Sequence, residues 1–167
     1  MEKYNLKWIT LILALFVIQS SFLPLFHIHS VGPDLLLLTL LSYSFFNGKT
    51  KGAGCGFFIG IFQDLASGTF FGYNTLTKIL IGVGAGSISS RSFRDNFLIP
   101  IFLAFMGTIA SYLIMLLLTL LQGYRFNLVL HIVEFLPYML IYNLIFAYPI
   151  HFLVRRINGA KKDENKV

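Results

Sequence analysis

Between Phe97 and Leu121 the chain runs for 25 residues without a charged side chain or a histidine. A helix of about 20 apolar residues crosses the hydrocarbon core of a bilayer, and a longer one crosses it with tilt. Further apolar runs predict helices at 8–26, 33–46, 52–64, 75–90 and 128–154. The whole chain is 56% hydrophobic and 12% charged, with a mean hydropathy of +0.76. Average globular chains are about a quarter charged, and a soluble domain of 167 residues must still cover its exterior with polar groups. Eighteen phenylalanines and eight tyrosines exclude a disordered chain. One cysteine, Cys55, excludes a disulfide framework and a multi-cysteine metal site. The expected fold is therefore an all-α integral membrane protein of six spans. One transmembrane domain covers 1–154 and a basic tail covers 155–167, which leaves no room for a soluble catalytic domain.

The basic residues orient the spans. Lys3 and Lys7 precede the first run, Lys49 and Lys51 follow the second, Arg91 and Arg94 follow the fourth, and Arg155, Arg156, Lys161, Lys162 and Lys166 follow the sixth. Eleven of the 13 basic residues thus fall on alternate connections, leaving Arg125 on the other side and Lys78 near the start of the fourth helix. The positive-inside rule puts both termini in the cytoplasm. The net charge of +6 is then a topology signal. Nucleic-acid binding needs basic residues clustered on a soluble face, and no such face is expected. The tail is placed to touch anionic lipid headgroups. The first run is too long for the apolar core of a signal peptide and lacks a small-x-small cleavage site, so it reads as a retained helix.

Ten of the 14 glycines lie between Gly48 and Gly86. Gly52, Gly56 and Gly60 share one face of the third helix. Gly82 and Gly86, continued by Ser90, share one face of the fourth. Small residues at this spacing let helix backbones approach closely in lipid. They pack either against neighbouring helices of the chain or against a partner's helix. Between these helices, Gly68 and Gly72 supply turn conformations, while Asp64, Ser67 and Asn74 can satisfy free backbone groups.

Ionisable groups at membrane depth are costly and are usually paired or functional. Asp34 follows Pro33 at the start of the second run and reads as a helix cap at the outer interface. Asp64 closes the third helix and is placed to accept backbone N–H bonds across the glycine-rich turn. Glu134 lies inside the sixth run, three residues before Pro137, within reach of His131 one turn earlier or of Lys78 from another helix. Four histidines, no HExxH and no GxSxG leave metalloprotease and nucleophile-elbow chemistry without support. Cys55 between Gly54 and Gly56 has nothing to stabilise a thiolate. A solute-binding reading has Asp64, Asn74, Lys78 and Glu134 as its polar handles, though no inverted repeat is apparent.

The stretch Pro33-Asp34-Leu35, then Gly52, then Gly56 to Gly60 running into Gln63-Asp64-Leu65-Ala66-Ser67-Gly68, then Phe71-Gly72, resembles the MreD family of rod shape-determining membrane proteins of bacteria. The likeness covers about residues 33–90, and the matched positions are Pro33, Asp34, Gly60, Asp64, Gly68 and Gly72. The resemblance implies a non-enzymatic role in cell elongation, with no cofactor and no catalytic residue to carry over. It implies association with the single-span protein MreC and, through it, with the MreB filament, RodA and a penicillin-binding transpeptidase. It implies residence in the bacterial cytoplasmic membrane and a fold similar to the substrate-binding subunits of energy-coupling-factor vitamin transporters. That likeness keeps a solute-binding subunit of a vitamin-type transporter as the alternative function.

Overall fold

A computed structural model describes residues 2–22, 31–68, 70–88, 98–124 and 127–164. Among them the chain is all-helical, with helices α1 (Glu2–Val17), α2 (Leu35–Asn47), α3 (Lys49–Ser67), α4 (Tyr73–Ser87), α5 (Ile99–Leu121) and α6 (Leu128–Glu164). A short π-helical turn, Ile18–Phe22, continues α1. Two stretches, Ile99–Leu121 and Leu128–Asn158, are long and apolar enough to cross a membrane. The positions His27, His29, Ser90, Arg91, Arg94 and Arg125 lie outside the described residues.

Helix α2 is the axis of the bundle. Its sequence, LLLLTLLSYSFFN, is apolar on every side, a pattern that suits a helix surrounded by protein. It touches each of the other five helices, and Leu36, Leu37, Leu40 and Phe45 are fully buried. Helices α3, α4, α5 and α6 follow one another around it, and α1 packs on α2 and α6. The ring opens between α1 and α3, where Trp8, Ile12, Tyr43, Lys51, Cys55 and Phe58 line an apolar groove of about 600 Å³.

α2 and α6 run parallel in a fixed register. The Asp34 N–H donates to Asn143 Oδ1, the Ser42 hydroxyl meets His151 Nδ1, and Asn47 Nδ2 donates to Asn158 Oδ1, at 2.9, 3.0 and 3.2 Å. Each pair is separated by 109 to 111 positions along the chain. α2 therefore starts opposite the middle of α6. α6 extends fifteen residues beyond that level, roughly 22 Å of helix. It also runs through Pro137 and Pro149 and on past Val154 to Glu164, so the expected tail begins as helix.

The closest packing is between α3 and α4, and glycine makes it possible. A Cβ on Gly52 would sit within 3 Å of the Gly82 carbonyl, and one on Gly82 would collide with the Gly52 carbonyl in return. Gly56 faces the Lys78 carbonyl, Gly60 faces the Thr75 backbone, and Gly86 faces Gly48 and Lys49 at the start of α3. Each of the five glycines on the two faces thus meets backbone from within the chain. Gly54 lies between them in sequence, but a Cβ there would meet nothing within 4 Å.

This difference sets a paired prediction. Gly56→Ala pushes two backbones apart and should cost about 1–3 kcal/mol, as overpacking does. Gly54→Ala should be neutral or stabilise by up to about 1 kcal/mol through helix propensity. Thermal unfolding in detergent checks both, and equal effects would refute the packing account.

Candidate functional site: a polar hub shared by six helices

The π turn after α1 carries Gln19 to the start of α2. The Leu36 N–H donates to Gln19 Oε1 at 3.2 Å, and Gln19 Nε2 donates to Asp34 Oδ1 at 3.4 Å. A π turn adds a residue to the helical register and often marks a functional position. Asp34 itself is the N-cap of α2, where Oδ1 accepts the Leu37 N–H at 2.9 Å. The expected cap is thus present, and it stands opposite Asn143 near the middle of α6, reached through buried Val31 and Pro33.

Lys78 of α4 donates to Asp34 Oδ2 at 2.7 Å. Its side chain is only 2% exposed, so a bare ammonium there would be very costly. Gln63 of α3 reaches the same carboxylate through Nε2 at 3.5 Å. On the far side, Asn143 of α6 accepts the Asp34 N–H and donates to Thr108 Oγ1 of α5 at 2.9 Å. Groups from the α1 extension, α2, α3 and α4 thus meet the Asp34 carboxylate, and Asn143 of α6, joined to Thr108 of α5, meets its backbone N–H.

One residue from Gln63, Asp64 builds a second node. It is 2% exposed and stands at the end of α3. Its carboxylate accepts the backbone N–H groups of Gly72, Asn74 and Thr75 at 2.9, 2.8 and 3.1 Å. The Thr75 hydroxyl and the Asn74 amide add bonds of 2.6 and 3.1 Å. The first turn of a helix leaves N–H groups without intrahelical partners, and a carboxylate also favours the positive end of the helix dipole. Gly68 and Gly72 hold φ of 61° and 99°, left-handed values that let the chain turn sharply enough to bring α4 back onto Asp64. The turn is pinned to the C-terminal end of α5 by the Tyr73 hydroxyl, which donates to Thr119 Oγ1 at 2.7 Å.

The remaining polar positions sort differently from expectation. Lys78 was considered as a partner for Glu134 and pairs with Asp34 instead. His131 is engaged by α5, where the Tyr112 hydroxyl meets Nδ1 and donates to the His131 carbonyl at 3.0 Å. Glu134 is exposed on the outer face of α6. Sequence reasoning missed Gln19, Gln63, Thr108 and Asn143 as hub members. The available signal was their polarity within apolar runs, since such residues tie spanning helices together. Among the described residues no group of three or more His, Cys, Asp or Glu is placed to hold a metal ion.

The order of these features along the chain is matched by a family model. The model for rod shape-determining protein MreD aligns with residues 2–157. The chain belongs to the MreD family. No curated protein and no solved structure matches it. Membership places the protein in the membrane-associated machinery of rod shape determination, in a family known for a structural role in shape. The alignment covers all of α1 to α5 and all but the end of α6, so the hub and the Asp64 node both lie within the family region.

Asp64→Ala leaves three backbone N–H groups without their acceptor. It should lower stability by about 1–3 kcal/mol for the first unsatisfied donor alone. Asp64→Asn keeps one acceptor oxygen and should lose less. Denaturation midpoints in detergent give the order, wild type above Asn above Ala. Equal midpoints would remove Asp64 from the structural account.

Proposed function

We propose that the protein is a six-span, non-enzymatic scaffold in the bacterial cytoplasmic membrane, with both termini in the cytoplasm. On this reading it binds MreC and helps to position RodA, a penicillin-binding transpeptidase and the MreB filament during wall elongation. One transmembrane domain covers 1–154, similar in fold to energy-coupling-factor substrate-binding subunits, and the basic residues from Arg155 onward rest against anionic lipid.

The observation that carries this reading is where the interior polar groups point. A solute-binding or catalytic centre needs polar atoms facing a space that a substrate can enter. Lys78 faces Asp34, and Asp64 faces Gly72, Asn74 and Thr75. The groups named as polar handles for a solute are thus committed to helix ends and to one another, with Glu134 on the outside. Such groups hold six helices in a defined arrangement and leave the outer faces to partners. The large groove between α1 and α3 is lined chiefly by apolar side chains, which suits acyl chains or a neighbouring helix better than a polar vitamin.

Depletion from a rod-shaped host that lacks a paralogue should give rounded cells, and re-expression should restore rods. Affinity purification should recover a single-span coiled-coil protein together with wall-synthesis enzymes. Normal rods after clean depletion, or co-purification with an ATPase module in place of those proteins, would overturn the scaffold reading.

A further inference from the structure

Helix α6 carries a second pattern on the side turned away from the bundle. Leu130, Glu134, Pro137, Ile141 and Ile145 follow at spacings of four, three, four and four, and Phe152 comes one heptad after Ile145. All six are exposed, with Leu130, Ile141, Ile145 and Phe152 each more than half so. Spacings of three and four place residues in one seam, the geometry by which helices interlock knobs into holes. The seam covers about 33 Å of helix, close to the roughly 30 Å hydrocarbon thickness of a bilayer.

Lipid alone satisfies the apolar members of this seam. It does not satisfy Glu134. A carboxylate on the lipid side of a spanning helix is costly unless it is paired. The inner side at this level is already closed, since His131 is held by Tyr112 and its ring packs on Phe135 with centroids 4.6 Å apart. A carboxylate on an apolar face suits a side chain with several donors and a positive charge. A second copy of the chain fits poorly, because a twofold axis along the membrane normal would set Glu134 against Glu134 at one depth.

We infer that the outward seam of α6 docks a second membrane-spanning helix that presents a lysine or arginine near its outer end, opposite Glu134. This rests on the scaffold reading above and names the surface it uses. A cation at the outer end of a span runs against the positive-inside bias, so few spans qualify and the pairing is selective.

A photoreactive residue placed at Ile145 or, separately, at Phe58 in the α1–α3 groove of the full-length chain tests this in living cells, with adducts mapped by mass spectrometry. The expected adduct joins Ile145 to the span of a single-span protein bearing an outer-end lysine or arginine. Glu134→Lys should cut its yield about tenfold or more, Glu134→Gln should cut it less, and changing the partner's cation to Glu should restore yield with Glu134→Lys. Rescue by the reversed pair excludes misfolding as the cause of the loss. Adducts only with lipid or with a second copy, or a yield indifferent to Glu134→Lys, would overturn the inference. The same single-span partner captured at Phe58 with Ile145 silent would reject the seam and leave the scaffold reading standing. A single-span partner captured at neither position would reject both.

Discussion

An ammonium that is 2% exposed and a carboxylate that is 20% exposed, 2.7 Å apart within the helix bundle, set the terms for the rest of this structure. Removing either charge from water is expensive, and their attraction offsets the expense only if the remaining lone pairs and protons also find partners. Each helix meets part of that demand. The Leu37 N–H is capped by Asp34, and Asn143 accepts the Asp34 N–H through Oδ1 and donates from Nδ2 to Thr108 Oγ1. Gln19 and Gln63 close the remaining side. Packing alone specifies helix arrangement weakly in lipid, because tails are as apolar as leucine. Asp34 supplies register, since a one-residue slip of α2 against α6 would separate its backbone N–H from Asn143 Oδ1.

The pair depends in turn on the α3–α4 hairpin. Lys78 lies where its carbonyl meets the missing side chain of Gly56, so the glycine contact sets the distance of α4 from α3. Asp64 fixes where α4 begins by taking the N–H of its cap, Gly72, and those of Asn74 and Thr75 in its first turn. Five residues lie between Gly72, which caps α4, and Lys78, which reaches Asp34. Backbone contact, helix cap and ion pair therefore form one chain of cause from the α3–α4 turn to the bundle axis.

Much of this was legible in the sequence, and what was not has a common physical origin. Local features read well. Asp64 beside a glycine-rich turn announces a cap for the next helix, and glycines four apart announce close backbone contact. The choice between an internal and an external partner for those glycines needed the structure, because spacing defines a face and not what lies across it. The partner of Lys78 was illegible for the same reason. Asp34 is 44 residues away, and nothing local distinguishes it from Glu134. The contact of Asp34 with Asn143 was hidden because it depends on α2 starting halfway along α6. Gln19 was hidden because a π turn has no simple sequence signature and decides which way that side chain points.

A scaffold of the kind proposed must hold its helices in one fixed arrangement, and the Asp34–Lys78 pair serves that purpose. A double-mutant cycle on Asp34 and Lys78 tests this most directly. Asp34→Asn and Lys78→Met are each expected to lower the unfolding free energy in detergent by about 3 kcal/mol, by stranding the other charge. The double variant should lose less than the sum by between about 0.5 and 3 kcal/mol. Losses that add to within about 0.5 kcal/mol would show that the two charges do not hold the bundle together.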